Sequence, residues 1–382
     1  MEPALSEDQL MFNNSVSAYL RNHYDDAERR RIALSESGLS REHWRAFAHD
    51  LGLLGTGLPE HLGGFGGSAA QAIVMRQFGA AMVVEPFLST VVIAGTVLKH
   101  HAGPTGAELI AQIIAGEAIF AFAHGEPSSR YNRAHVSTRA RRAGADFVID
   151  GRKSIVLAAP WATHIIVVAR TSGDDRDRQG ISLFVVPADT AGIQRRDFRT
   201  ISGGRASEID FCAVSVPASG LLGVEGEALP LIEEVIDKAS VMVCAEAIGV
   251  LSRLHQDTVA YTKQRHQFGQ TLASFQVLQH RMVDMLILIE HSSSITGRGV
   301  ECLERSPVER AMAVSAAKVY VGKALRFVGQ QAIQLHGGMG MTDELALGWF
   351  FKRAIEIERQ FGSVEHHLAR YENLAYRSTH AV

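Results

Sequence analysis

Cysteine is scarce in this chain: Cys212, Cys244 and Cys302 are the only three among 382 residues, odd in number and widely spaced. That spacing excludes a disulfide framework or a thiolate metal site and fits a reducing compartment. An excess of one charge is missing too, since 38 Lys and Arg stand against 41 Asp and Glu for a net charge of -3. The chain therefore lacks the electrostatic footprint of a nucleic-acid binder and the imbalance of a disordered one. One basic cluster, Arg29-Arg30-Arg31, follows Asp25, Asp26 and Glu28 and reads as a solvated helix face of mixed charge. No run approaches the roughly 20 apolar residues that span a bilayer, and the best stretch, Val241 to Leu251, is broken by Glu246. The first eight residues are acidic, without the basic and apolar regions of a signal peptide. The expectation is a soluble, cytoplasmic protein with no membrane, nucleic-acid or metal partner.

What is present is 46% hydrophobic residues in three patterns, enough for two or three cores. Ser6 and Gln9 have the spacing of a capping box, followed by Leu10, Phe12, Val16 and Leu20 at helical period. Further helical patterns cover 42–51, 69–82 and 86–100, so residues 1–115 read as a helical domain. From 116 to 226 short β-branched runs alternate with turn residues, as in Phe147-Val148-Ile149-Asp150-Gly151, which predicts a β domain. The polar stretch 173–178 reads as a hairpin tip. Helical period returns over 227–382, with long segments at 231–263, 273–300 and 309–335, a length that predicts a four-helix bundle. The fold class is α+β, in the order helical domain, β domain, helical bundle.

Two segments suggest chemistry. Gln334-Leu335-His336-Gly337-Gly338 places glycines where backbone N–H groups can approach a phosphate, and Arg265 offers a forked cation for a diphosphate. The bland alternative is that Gly337 ends a helix and Arg265 caps another. With Gln267, Phe268 and Gly269, then Phe275-Gln276 and Met282-Val283-Asp284-Met285, Arg265 forms a pattern that resembles the R-x-x-F-G, F-Q and M-A-D-M motifs of the acyl-CoA dehydrogenase family. Gln334 to Gly338 is similar to that family's Q-x-x-G-G, and the three-part order matches over the whole chain. The resemblance implies FAD as cofactor, with these segments and Ser363 holding the pyrophosphate and adenosine of a neighbouring subunit's FAD. It also implies an acyl-CoA substrate and an electron-transferring flavoprotein as acceptor.

The other half of the implied site is eroded. Where relatives carry a T-E-P-G-x-G-S-D loop, the chain reads Gly125-Glu126-Pro127-Ser128-Ser129-Arg130-Tyr131-Asn132, and where they carry W-I-T it reads Ile155-Val156-Leu157. Ser128 and Arg130 are expected to remove conformational freedom and close approach from the loop. The proton-abstracting Glu that the family keeps directly before G-T or G-S is Phe361, and the other seat used by some members is Ala239. Asp237 should face away from Ala239, about 200° round the helix. Glu246 is the best substitute base, against the alternative of a buried acid with a basic partner. Glu365 and His366 are further candidates, read more simply as surface or adenosine-side groups. The pattern resembles the small subunit of pimeloyl-CoA dehydrogenase and the paired subunits of actinobacterial steroid dehydrogenases. It implies a base-lacking subunit of a heteromer. Two alternatives stay open: a homo-oligomeric enzyme using Glu246, and a non-enzymatic acyl-CoA-binding scaffold.

Overall fold

Ser6 starts the first helix as its spacing predicts. Its hydroxyl accepts the Gln9 amide at 3.2 Å while the Gln9 side chain accepts the Ser6 amide at 3.1 Å, satisfying two otherwise orphaned donors. The computed structural model describes residues 5–101, 103–342 and 344–380. Helices α1 (Glu7–His23), α2 (Asp26–Leu34), α3 (Arg41–His49) and α4 (Gly67–Ala81) come first, followed by a π-helical segment Leu88–Ala94, then α5 (Gly95–Lys99) and α6 (Pro104–Ile114). The pattern over 86–100 thus folds as a π-helix running into α5. Periodicity alone does not reveal this, because nearly every residue of the stretch is buried.

Eight strands follow: β1 (Phe120–Ala123), β2 (Arg139–Ala143), β3 (Asp146–Leu157), β4 (His164–Arg170), β5 (Ile181–Pro187), β6 (Ile193–Arg199), β7 (Arg205–Val216) and β8 (Leu221–Leu222). They form one sheet in the order β6-β7-β3-β2-β4-β5-β8, with β1 pairing parallel to β4. Strands β4 and β5 pair antiparallel across the polar tip 171–180. Their β-branched and aromatic side chains join Phe147, Ile149, Ile209 and Phe211 in the sheet's core. At the edge, β6 is exposed along nearly its whole length, and Arg195, Arg196, Asp197 and Arg199 keep it from recruiting another strand.

The last part holds α7 (Leu229–Gln264), a hairpin of β9 (His266–Gln267) and β10 (Gln270–Thr271), then α8 (Gln276–Glu301), α9 (Pro307–His336), α10 (Leu347–Arg359) and α11 (Val364–His380). Helix α9 packs against α8, α10 and α11. Ser306 and Glu309 open α9 with a second capping box. The chain forms two compact units that cut across the three sequence regions. One contains residues up to Arg31, Ala72–Val83 and Ser240 onward; the other contains Ile32–Gln71 and Val84–Ala239.

One reading of the sequence is corrected. Arg29 is not on a solvated face: it is buried, with its guanidinium 4.5 Å from the centroid of the Trp349 ring, while Arg30 and Arg31 are exposed. The aromatic partner lies some 300 positions away, beyond the reach of local charge pattern. The apolar stretch around Glu246 is a core segment of α7, and among the described residues no helix is long and apolar enough to cross a membrane.

Candidate cofactor-binding site

In the helical unit, the ends of α7 and α9 and the start of α8 enclose a cavity of about 610 Å³. Of the residues singled out from sequence, it gathers Arg265, Gln267, Gln334, Leu335, His336, Gly337 and Gly338. Gly337 ends α9 at φ 58°, ψ -136°, a conformation closed to side-chain-bearing residues, and a Cβ built on Gly338 would meet nothing within 4 Å. The backbone here faces open space rather than packed protein. The floor is a stack of Tyr261 on His336, ring centroids 4.3 Å apart. His336 Nδ1 donates to the Ala332 carbonyl at 2.8 Å, and burial lowers the tendency of the ring to protonate. The imidazole is thus held neutral with Nε2 as an acceptor.

Tyr261, Leu272, Val277, Leu278, Arg281 and Met339 also line the cavity without belonging to either motif. Helical arithmetic offers a signal for two of them: Tyr261 lies one turn before Arg265, and Arg281 lies five residues into the helix that Gln276 starts. Phe268, Phe275, Gln276 and Ser363 lie outside the lining. Ser363 stands before α11, where its Oγ accepts the His366 amide at 3.4 Å. Gln276 is the first residue of α8, and Phe275 is its N-cap.

Phe268 is on display. It and Gly269 form the two-residue loop between β9 and β10, with φ 53° and 80°, the geometry of a type I′ hairpin turn. That turn favours Asn-Gly, and a phenylalanine at positive φ is strained by about 1–2 kcal/mol. The residue is 89% exposed, and its ring meets Phe275 edge-on with centroids 6.2 Å apart. The strain and exposure of Phe268 are not explained by packing against its own hairpin.

The β-domain half is organised differently. Glu126 survives from its motif in a structural role. Its carboxylate meets the buried Lys153 ammonium at 2.7 Å and accepts the Ser137 and Thr138 amides at 2.7 and 3.0 Å. Burial pulls the Lys153 ammonium down to about 8, with Glu126 opposing that pull. Arg130 sits at φ 47° and Ile155 at φ 52°. The backbone adopts a left-handed turn at Arg130 without a glycine, while the Cβ and side chain stand where a glycine would leave open space. Ile155 is 63% exposed at a register shift between β3 and β7 and supplies no aromatic wall.

Neither base seat carries an acid. Ala239 is fully buried, and Asp237 forms an ion pair with Arg133 at 2.8 Å. Phe361 is at φ 62° in a turn held from all sides. Lys318 Nζ donates to the carbonyls of Ile357 and Gln360, both at 2.8 Å, and His367 Nε2 donates to the Phe361 carbonyl at 3.2 Å. Glu358 pairs with Arg326 at 2.6 Å. Glu246, the substitute candidate, is forked to Arg353 by 2.6 and 2.7 Å hydrogen bonds, so both oxygens are engaged. Glu365 is exposed, 3.3 Å from Arg326, and His366 stacks edge-on to His367. Asp237, Glu246 and Glu365 are thus all held in ion pairs, and no group of His, Cys, Asp and Glu among the described residues could hold a metal.

Comparison with known proteins identifies this arrangement. Models of the acyl-CoA dehydrogenase N-terminal, middle and C-terminal domains match residues 6–117, 121–214 and 229–370. The chain belongs to the acyl-CoA dehydrogenase family, FAD-dependent oxidoreductases. It is 26% identical over 324 residues to the short-chain specific acyl-CoA dehydrogenase of Rattus norvegicus mitochondria, covering 83% of this chain and 78% of the relative. It is 28% identical over 322 residues to the cyclohex-1-ene-1-carbonyl-CoA dehydrogenase of Geobacter metallireducens, covering 82% and 84%. Among solved structures, a variant of the steroid ACAD Tcur3481-Tcur3483 aligns with TM-score 0.87 at 25% identity over 98% of this chain and 99% of that one. The ChsE4-ChsE5 complex from Mycobacterium tuberculosis shares the fold, with TM-score 0.87 at 21% identity over 100% and 99%.

Proposed function

We propose that this chain is the base-lacking subunit of a heteromeric acyl-CoA dehydrogenase, supporting the FAD of a related, acid-bearing chain. The observation that carries the reading is an asymmetry. The cavity around Gly337 and Gly338 is open and cationic, while Phe361, Ala239 and Ile155 leave the other half without a proton acceptor or an aromatic wall. The residues present fit the adenosine and diphosphate portions of FAD: two guanidinium groups, Arg265 and Arg281, no carboxylate in the lining, and backbone facing open space. The residues at the flavin-ring positions do not fit the ring in the same way.

Bound FAD supplies the hydride acceptor for the β-carbon of an acyl-CoA thioester. In the proposed complex the α-proton goes to a carboxylate of the partner chain, and the Cα–Cβ double bond forms. This chain's part is to orient the cofactor with Arg265, Gln267, Gln334, His336 and the Gly337-Gly338 backbone, and to present Phe268 to the partner. Electrons leave to an electron-transferring flavoprotein. The steroid ACAD relative, which carries two component names, accords with a two-chain assembly. Dehydrogenation of an acyl-CoA should be absent with the chain alone and appear when it is co-expressed with an acid-bearing relative. Full FAD loading and turnover in the chain alone would refute the reading and return it to a homo-oligomeric enzyme. A protein that stays colourless with every partner would favour a scaffold.

A further inference from the structure

Arg265 is the one cation of the cavity that a family motif names. The same 610 Å³ cavity is lined by a second, Arg281, in the second turn of α8. Its Nη1 donates to the Gln331 side-chain oxygen at 3.3 Å, a neutral partner that orients the guanidinium without neutralising it. Among the described residues neither Arg265 nor Arg281 forms an ion pair, whereas Arg253, Arg298, Arg326 and Arg353 of the same unit all do. The lining contains no Asp or Glu. Both side chains are exposed at the cavity, with no carboxylate in the lining to neutralise them, which leaves both guanidinium groups available to an anion. A diphosphate carries about two negative charges and accepts forked hydrogen bonds at each phosphorus. The Tyr261–His336 stack supplies a flat surface, and His336 a fixed acceptor, for an attached purine.

We propose that Arg281 is a second diphosphate-binding residue and that, with Arg265, it makes this cavity a self-sufficient site for the adenosine diphosphate half of FAD within a single chain. The inference rests on the reading of the cavity as a cofactor-holding half-site. It adds that no partner residue is needed to hold this half.

The test is titration of the full-length chain with ADP, and separately with adenosine, by calorimetry. Arg281→Gln should weaken ADP binding about tenfold, the loss of one charge-assisted hydrogen-bond pair. It should leave adenosine binding unchanged and make ADP affinity less sensitive to salt. Arg281→Lys should fall between, keeping charge without the fork. Arg298→Gln, at the far end of the same helix and paired with Glu301, is the control and should bind ADP as the unsubstituted chain does. Thermal melts establish that each variant is folded. Equal ADP affinity with and without Arg281, equal losses for ADP and adenosine, or no ADP binding by the chain alone would each overturn the proposal. The titration involves neither turnover nor partner, so its failure is separate from a failure of the heteromer reading.

Discussion

Phe268 shows what a single residue reveals when its backbone is strained. At φ 53° and 89% exposed, it loses little packing if replaced, so Phe268→Gly should raise stability by on the order of 0.5–1 kcal/mol, the relief of strain less the entropy of glycine. The same change should weaken association with the partner chain; a melting curve and a co-purification measure the two effects. Glu246 gives the opposite case. Glu246→Gln should cost about 3 kcal/mol in denaturant unfolding, because it leaves the buried Arg353 guanidinium, normally raised further into its charged form by Glu246 and Glu356 against the effect of burial, short of its main partner. If Glu246 were the catalytic base of a homo-oligomeric enzyme, the chain alone would turn over and Glu246→Gln would abolish that turnover while FAD stays bound. Phe361 is a third case. The turn around it is fully braced by Lys318 and His367, so Phe361→Glu should fold, yet acyl-CoA turnover of the chain alone should stay absent because Ile155 and Arg130 remain.

At the scale of elements, the Glu126–Lys153 pair fastens the loop after β1 to β3 and sets an acid limit on the β unit. Burial pushes the Glu126 carboxyl up, but the Lys153 ammonium and the Thr138 and Ser137 amides outweigh it, and the group ends below its ordinary value. Its stabilisation is complete above the unfolded carboxyl value of about 4.3 and is lost as pH falls through the lower folded value. Melting temperatures recorded from pH 7 to 3 should therefore drop below about pH 4.3. Glu126→Gln should already be destabilised by about 3–5 kcal/mol at pH 7 and show a flatter acid limb. A steep acid limb retained in Glu126→Gln would assign that limb to other carboxylates. The order of elements is legible in the sequence, because the long helices α7, α8 and α9 and the strands β4 and β5 write their periods locally. Their ends are legible where caps exist, as at Ser6, and not where burial masks periodicity, as in the π-helix at Leu88–Ala94. The Glu126–Lys153 and Glu246–Arg353 pairs are illegible, since they join positions 27 and 107 residues apart and no local pattern encodes them. Half of the cavity is legible for the same reason: Gly337 and Arg265 stand in motifs, while Tyr261 and Arg281 reach the cavity only through the phase of their helices.

Across the whole molecule, the proposed heteromer divides labour between two chains. In the proposed reading the cavity of the helical unit takes a dinucleotide's diphosphate; Arg130, Ile155 and Phe361 each stand at positive φ and none of them is an acid. Such a chain is expected to purify with its partner at about one FAD per pair of chains, by absorbance. The most direct test puts the whole catalytic burden on the partner. In the purified heteromer, the partner's catalytic acid is replaced by Gln, this chain is left unchanged, and acyl-CoA dehydrogenation is measured with FAD content held equal. Turnover is predicted to fall to background, since in the proposed heteromer the base belongs to the partner. Retention of about half the activity would show that this chain abstracts a proton of its own and would contradict the division of labour.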